Sequence, residues 1–480
     1  MTNKLFTSLD EAERFLKAKF GVDESFDVCI KRVYIKNMKA LCVYISGLVS
    51  GDTITELLSN LQFEEDEDIA DEEAYFFAHF NFYGTDKMES IEDFLLAVLS
   101  GRIGFITENG FCYGSEFRNY PGRNPEEPDN EKVIRGSRDG FAENIIQNVA
   151  LIRRRIRSTE LRFQMFQISN VGKTDVSICY LNDIVNTDHL QWVRERFKQI
   201  DHDGLTMADK SLEEWLFKQK FHPLPFVRYS ERPDIVAAHL LEGHIAIVVD
   251  TSPSVMLMPV TMFHLLQHAE EYRQAPLIGS MMRLLRYMAM ILSLVLLPLW
   301  YILSTDNHLL PENLSFLGVA EPSNVPLFLQ IIIADLGIEY LRIAAIHTPT
   351  PLSTAMGLIA GIIIGQIAID VGLFSSEVVL YTAIAAIFTF AIPNYELSVS
   401  IKVFRIFILI MTAILGINGL FISLFIVFSY LCSLRPMQVP YMWPLVPFFP
   451  KAFLRVIIRF PMSDDAPRPF VVGAKQRKRV

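Results

Sequence analysis

Apolar positions follow two different rhythms along this chain, and the change of rhythm divides it. Between residues 9 and 20 the apolar residues fall at helical spacing, whereas 29–45 alternates (Val33, Ile35; Leu41, Val43, Ile45), so the pattern predicts a helix followed by strands. Residues 101–109 read as a short strand ending in a turn. Residues 1–125 therefore form an α+β subdomain. At 120–130 the run Y-P-G-R-N-P-E-E-P-D-N, with three prolines in eleven residues, predicts a linker. A helix over 139–157 follows, with Ile145, Val149, Ile152 and Ile156 on one face and R-R-R-I-R at its end. A strand over 176–181, a helix over 187–200 and a buried strand over 245–250 complete a block over 126–275. Their alternation predicts an α/β subdomain.

Beyond residue 275 the runs lengthen. Four apolar segments, 284–303, 352–372, 374–392 and 406–431, reach the roughly 20 residues that a bilayer requires. A fifth, 325–346, is interrupted by Asp335, Glu339 and Arg342. Spaced i, i+4, i+7, these three share one helix face, and Glu339 can pair with Arg342. Such a helix either lies in the membrane plane or lines an aqueous vestibule. The expected architecture is a soluble N-terminal half of two subdomains, α+β then α/β. An α-helical membrane domain over 276–440 follows, with about four spans and one amphipathic or broken helix. The basic remainder, 441–480, opens with proline-rich aromatics at 441–450 that suit the interface or a re-entrant segment.

Charge sharpens this division. Residues 1–275 carry 30 basic and 44 acidic residues, 287–401 only one basic residue against eight acidic, and 433–480 nine basic against two acidic. An acidic soluble half excludes a nucleic-acid partner for that half. Arg273, Arg283 and Arg286 precede the first span and the basic tail follows the last, so both ends are expected inside after an even number of crossings. Four spans satisfy this and five do not, although Lys402 and Arg405 then fall near the outer side. Residues 1–20 are charged throughout, so no signal peptide is expected. Five cysteines, none in C-x-x-C, argue against a disulfide framework or zinc ribbon and for reduced thiols. Eight carboxylates at 64–73 read as a solvated loop or helix face, because nothing imposes the ligand spacing of a metal site. The arginine cluster at 153–157 is either such a solvated face or a site for anionic lipid or an acidic partner.

No chemical motif passes its own test. Val171-Gly-Lys-Thr174 lacks the upstream glycine of a phosphate loop, with Gln167 in its place. His239 and His244 stand five apart rather than i, i+4, and Asp201-His-Asp-Gly204 lacks the other ligands of a calcium loop. The expectation is a protein that is not an enzyme and holds no cofactor or metal. The membrane half offers more. Ser353, Gly357, Gly361 and Gly365 recur every four residues, a smooth stripe for close helix–helix approach, with Gln366 and Asp370 at its end. Asp370 belongs either to a pore mouth or to a helix end snorkelling into headgroups. Pro393, Asn394 and Glu396 break the chain after the third span. With Arg273, Arg283 and Arg286 they are candidates for coupling the two halves.

Several blocks together resemble the GerA family of spore germination proteins, in particular its multi-spanning A-type subunits. They are Arg135-Gly-Ser-Arg-Asp-Gly-Phe141 with Asn148–Ile156, Ser230-Glu-Arg-Pro-Asp234, Leu241-Glu-Gly-His-Ile-Ala-Ile-Val-Val-Asp250, Gly365-Gln366, Ile392-Pro-Asn-Tyr-Glu-Leu397 and Val439-Pro-Tyr441. They span about residues 130–445. Thr251–Met256 and His264–Gln274 are similar to an accessory, sporulation-stage branch rather than to the nutrient-receptor subunits. The resemblance implies residence in the inner membrane of a bacterial endospore, with the soluble half facing the spore core. It also implies assembly into a homo-oligomer with other germination membrane proteins and membrane lipids as partners. The expected function is an oligomeric channel for monovalent cations that amplifies nutrient-receptor signalling. The alternative is a non-conducting membrane scaffold or signal transducer.

Overall fold

The computed structural model describes all residues except 1–3, 36–37, 50, 53, 57–58, 60–71, 81–83, 120–130, 132–134, 307–311, 321–323, 348–356, 360, 462–466 and 477–480. The expected linker at 120–130 and most of the acidic run at 64–73 lie outside the described residues. The chain divides into two compact units: a sheet unit of residues 1–220, 226–260 and 462–480, and a helical unit of 221–225 and 261–461. The 441–480 segment is thus shared between them.

The sheet unit contains two antiparallel five-stranded sheets. In the first, β1 (Val28–Ile35), β2 (Met38–Ile45), β3 (Asp86–Lys87), β4 (Ile103–Thr107) and β5 (Cys112–Ser115) take the order β1-β2-β4-β5-β3. In the second, β6 (Leu161–Ile168), β7 (Thr174–Leu181), β8 (Arg228–Ser230), β9 (Ile245–Val249) and β10 (Val255–Met258) take the order β6-β7-β9-β10-β8. The two orders are the same, five strands on: one topology is built twice. The sheet of the second block, like that of the first, is antiparallel. Its β6–β7 and β9–β10 connections are too short for the crossover that parallel neighbours require.

Local chemistry sets the helix limits. Ser8 caps Leu9–Phe20 by accepting from Glu11 N, and Gly21 ends it in the left-handed region at φ 60°. Ala12, Leu16 and Phe20 of this helix join Leu41, Val43 and Ile45 of β2 in the first core. Cys42 and Cys112 lie in the same unit, their thiols pushed up to about 12 by burial, so they are inert core residues. The arginine cluster is mostly structural rather than a free basic patch. Arg153 is buried against Asp27 at 2.9 Å, and Arg155 pairs with Asp139 at 2.5 Å. Arg154 and Arg157 alone are exposed. Residues 467–476 return to this unit as a strap: Val472 is buried, Lys475 N donates to Ile184 O, and Arg468 Nε donates to Leu241 O. Gly243 makes room for the strap, because a Cβ there would stand 3.1 Å from that of Ala474.

Among the described residues of the helical unit, two helical stretches are long and apolar enough to cross a membrane, Pro276–Thr305 and Tyr395–Ser433. Leu327–His347 and Ser376–Phe390 pack beside them around Leu297, Trp300, Ile331, Val378 and Leu409. Trp300 stacks on Tyr381 at 4.5 Å. The expected span at 406–431 is corrected here. Gly416 has φ 61° and ψ −143°, outside the helical region, so the 395–433 element is two helices. They fold back on each other, since the rings of Phe404 and Tyr430 lie 6.0 Å apart and Ile408 packs with Leu420. Hydropathy over the run misses this reversal, because both arms are equally apolar.

A cross-link checks the hairpin. With Phe404→Cys and Tyr430→Cys together, a short bis-maleimide is expected to join the two positions within one chain. On a continuous helix they would lie about 39 Å apart and stay unlinked.

Candidate functional site

The most unusual chemistry sits inside the apolar helices. Asp335 and Glu339 lie one turn apart on Leu327–His347, and Lys402 and Arg405 lie one turn apart on the 395–415 arm. Arg405 Nη2 meets Asp335 Oδ1 at 2.5 Å. Lys402 Nζ reaches Glu339 Oε2 at 2.8 Å and Asp335 Oδ1 at 3.5 Å, and donates to the Asp335 carbonyl at 2.9 Å. Arg342 completes the set, pairing with Glu339 at 2.5 Å, donating to Ser398 Oγ at 3.1 Å and resting over the Tyr395 ring. Arg405 Nη1 also donates to Ser293 O and Thr389 Oγ1, at 3.0 and 3.1 Å. Arg405 thereby ties four helices together. Asp335 and Arg405 are buried at 3% and 1% exposure, so each charge is out of water and held by its partner.

The face of Asp335, Glu339 and Arg342 thus exists as the spacing predicts. It is neither an in-plane amphipathic surface nor a free vestibule lining, because Lys402 and Arg405 fill it. Those two bases are the functional residues that sequence reasoning missed. Their signal was available: two bases three apart in one apolar helix answer two acids four apart in another.

The glycine stripe has the opposite character. Ser353 lies outside the described residues. At Gly357, Gly361 and Gly365 no described residue lies within 4 Å of where a Cβ would stand. Gly365 and Gln366 fall in a π-helical turn, Ile363–Ile367, and Asp370 ends the following helical turn exposed. Of the coupling candidates, Arg283 and Arg286 both pair with the buried Glu271, Arg283 at 2.7 Å. Arg273 is exposed at the end of Ala269–Arg273. Pro393 lies in the turn before Tyr395–Ser433, Asn394 caps that helix by accepting from Leu397 N at 2.8 Å, and Glu396 stands in its first turn.

In the sheet unit the rejected motifs have structural roles. Val171 N and Gly172 N donate to Asp203 O and Asn170 N to His202 O, so the loop resembling a phosphate cradle spends its N–H groups on the loop resembling a calcium site. His239 ends a helix and His244 precedes β9, their rings edge to face at 5.1 Å. Burial holds both imidazoles neutral, His239 well below its usual range and His244 down to about 4. Among the described residues no group of three His, Cys, Asp or Glu is placed to hold a metal. The blocks at 135–141 and 230–234 meet: buried Arg232 donates to Ser137 O at 2.9 Å and pairs with Asp234, and Phe141 N donates to Glu231 O.

Comparisons with known proteins agree with these blocks. The model of the Bacillus/Clostridium GerA spore germination protein family matches residues 14–471. Stage V sporulation protein AF of Bacillus subtilis (strain 168) is 45% identical over 97% of this chain and 95% of its own length. Spore germination protein KA of the same organism is 30% identical over 98% of this chain and 88% of its own. The crystal structure of the N-terminal domain of the A subunit of the Bacillus megaterium spore germinant receptor GerK3 is 26% identical. It covers 54% of this chain and 97% of that one, with a TM-score of 0.41.

Two outcomes follow from this geometry. Arg405→Leu removes the nearer partner of buried Asp335 and leaves it Lys402 Nζ at 3.5 Å, a loss somewhat below the roughly 3–5 kcal/mol of a buried charge left with no partner. The melting temperature of the detergent-solubilised protein is expected to fall by several degrees, and Asp335→Asn in the same chain to recover part of it. Folded His244 stays neutral down to about 4, whereas an unfolded histidine takes up its proton near 6.5. Stability is therefore lost as pH falls from about 6.5 toward 4. His244→Gln should flatten that part of the melting profile.

Proposed function

The chain belongs to the GerA spore germination family, and from that premise we propose that it is a non-catalytic membrane subunit of a germination complex. In this reading it assembles with copies of itself and other germination membrane proteins into a channel for monovalent cations, accessory to nutrient-receptor signalling. It resides in the spore inner membrane with its sheet unit toward the core. An even number of crossings, as the flanking basic residues require, is part of the proposal.

The observation that carries the reading is the open glycine stripe. A row of glycines in an apolar segment, with no described residue within 4 Å of an added Cβ, suits the approach of a neighbouring helix. Beside it, Gln366 and Asp370 are exposed polar groups at the end of an otherwise apolar run, which suits a water-filled opening. Asp335 and Glu339 drop out of the pore assignment, because their charge is neutralised by Lys402, Arg405 and Arg342. Asp370 is the carboxylate that remains to favour cations.

Gly361→Leu separates this reading from the non-conducting scaffold. Among the described residues nothing stands within 4 Å of a Cβ at this position, so the single subunit is expected to fold as before. Unitary currents are expected from purified wild-type oligomers in planar bilayers, and Gly361→Leu should reduce them severalfold or abolish them. Asp370→Asn should lower the cation preference. Wild-type oligomers that stay silent in every partner combination would favour the scaffold.

A further inference from the structure

The helical unit carries a second charged cluster, at the start of the Pro276–Thr305 helix. Buried Glu271 is shared by Arg283 and Arg286. Arg283 also donates to Arg455 O at 3.1 Å and Val456 O at 3.0 Å, and Tyr287 Oη donates to Val456 O at 3.0 Å. Arg459 donates from its backbone N–H to Ser280 Oγ and from its guanidinium to Tyr272 O and Gln274 O. Gly279 admits this approach, since a Cβ there would stand 2.9 Å from Arg459 Cδ. The short helix Pro450–Ile457 is thereby fixed by its C-terminal end beside the first turns of a long apolar helix.

That short helix buries none of its residues. Lys451 and Arg455, four apart, share one side with exposed Leu454 beside them, while Phe453 and Ile457 take the opposite side, where the Phe453 ring lies 6.4 Å from that of Phe263. Phe448 at 60% and Leu454 at 49% exposure leave apolar surface open, as does Met281 at 58% on the neighbouring helix. The helix is thus held rigidly with Phe453 and Ile457 turned to its own chain, and with exposed apolar side chains beside two exposed cations on its outer side. Of the neighbouring carboxylates, Glu271 is claimed by two arginines and Glu270 accepts from Gln274.

We propose that residues 448–460 form an interfacial clamp for anionic phospholipid headgroups, Lys451 and Arg455 meeting the headgroups while Phe448 and Leu454 enter the acyl boundary. Charge selects the occupant: two exposed cations beside exposed apolar side chains complement an anionic bilayer interface. The Glu271–Arg283 contacts preset the helix in its bound orientation. The inference rests on the reading of the helical unit as membrane-embedded.

The test uses the full chain in nanodiscs of phosphatidylcholine with or without phosphatidylglycerol, with Cys29 and Cys432 replaced by serine. Nitroxide labels are placed singly at Leu454→Cys, Arg455→Cys and Ile291→Cys, the last on the long apolar helix. Collision with oxygen and with a water-soluble nickel chelate then reports depth. Expected is an oxygen-accessible, nickel-protected label at 454 and a nickel-accessible one at 455. Native mass spectrometry of the unlabelled protein should show preferential retention of phosphatidylglycerol, falling about fivefold per charge removed in Lys451→Gln and Arg455→Gln. A label at 454 open to nickel while that at 291 is protected overturns the clamp and leaves the membrane reading intact. Nickel access at both positions overturns the membrane reading itself. A label at 454 shielded from both reagents means that a second copy or a partner protein covers this face. Unchanged lipid retention in the glutamine variants also overturns the clamp.

Discussion

A carboxylate cannot remain charged among apolar helices unless something pays its desolvation, and in the helical unit that something is Arg405. Moving one such ion out of water costs several kcal/mol, more than any single apolar contact returns. Asp335 and Arg405 therefore fix each other, and with them the register of Leu327–His347 against the 395–415 arm. Arg405 reaches Ser293 and Thr389 as well, so the positions of Pro276–Thr305 and Ser376–Phe390 follow from the same guanidinium. Lys402 and Glu339 repeat the arrangement one turn away. Apolar packing supplies most of the cohesion but little specificity, because one smooth helix face slides over another at small cost. The ion pairs remove that freedom.

The same principle accounts for what the sequence reveals and what it conceals. The face of Asp335, Glu339 and Arg342 is legible because local spacing determines which residues share a helix side. Its partners are not, because they stand some sixty residues away and only folding selects them. Lys402 and Arg405 look anomalous as bases near the outer end of a span, and natural as counter-ions. Gly416 is concealed differently: a hydropathy average weighs apolar character, and the reversal depends on one backbone angle. In the sheet unit, β1, β2, β4, β7 and β9 were visible in the pattern of apolar positions. The alternation L-R-F-Q-M-F-Q-I over β6 was equally available and unused. Strand direction is set by loop length, because only the short loops distinguish antiparallel from parallel neighbours here.

Family membership and geometry bear on different questions. The matched blocks at 135–141 and 230–234 converge on Arg232, a structural junction within the sheet unit. The glycine stripe, by contrast, stands open among the described residues. Residues that hold the sheet unit together and the open stripe thus lie apart in the chain, and the proposed function starts from the stripe.

The strap of residues 467–476 carries a consequence for the order in which the protein is made. Its docking positions at Asn182, Ile184 and Leu241 leave the ribosome more than two hundred residues before Lys475 does. Translation at roughly 5–20 residues per second separates the two events by tens of seconds. Throughout that interval the nascent sheet unit lacks its last piece, while the helices that follow are being synthesised. Docking of the strap is therefore a late event, possible only once the helices of residues 261–461 have been synthesised.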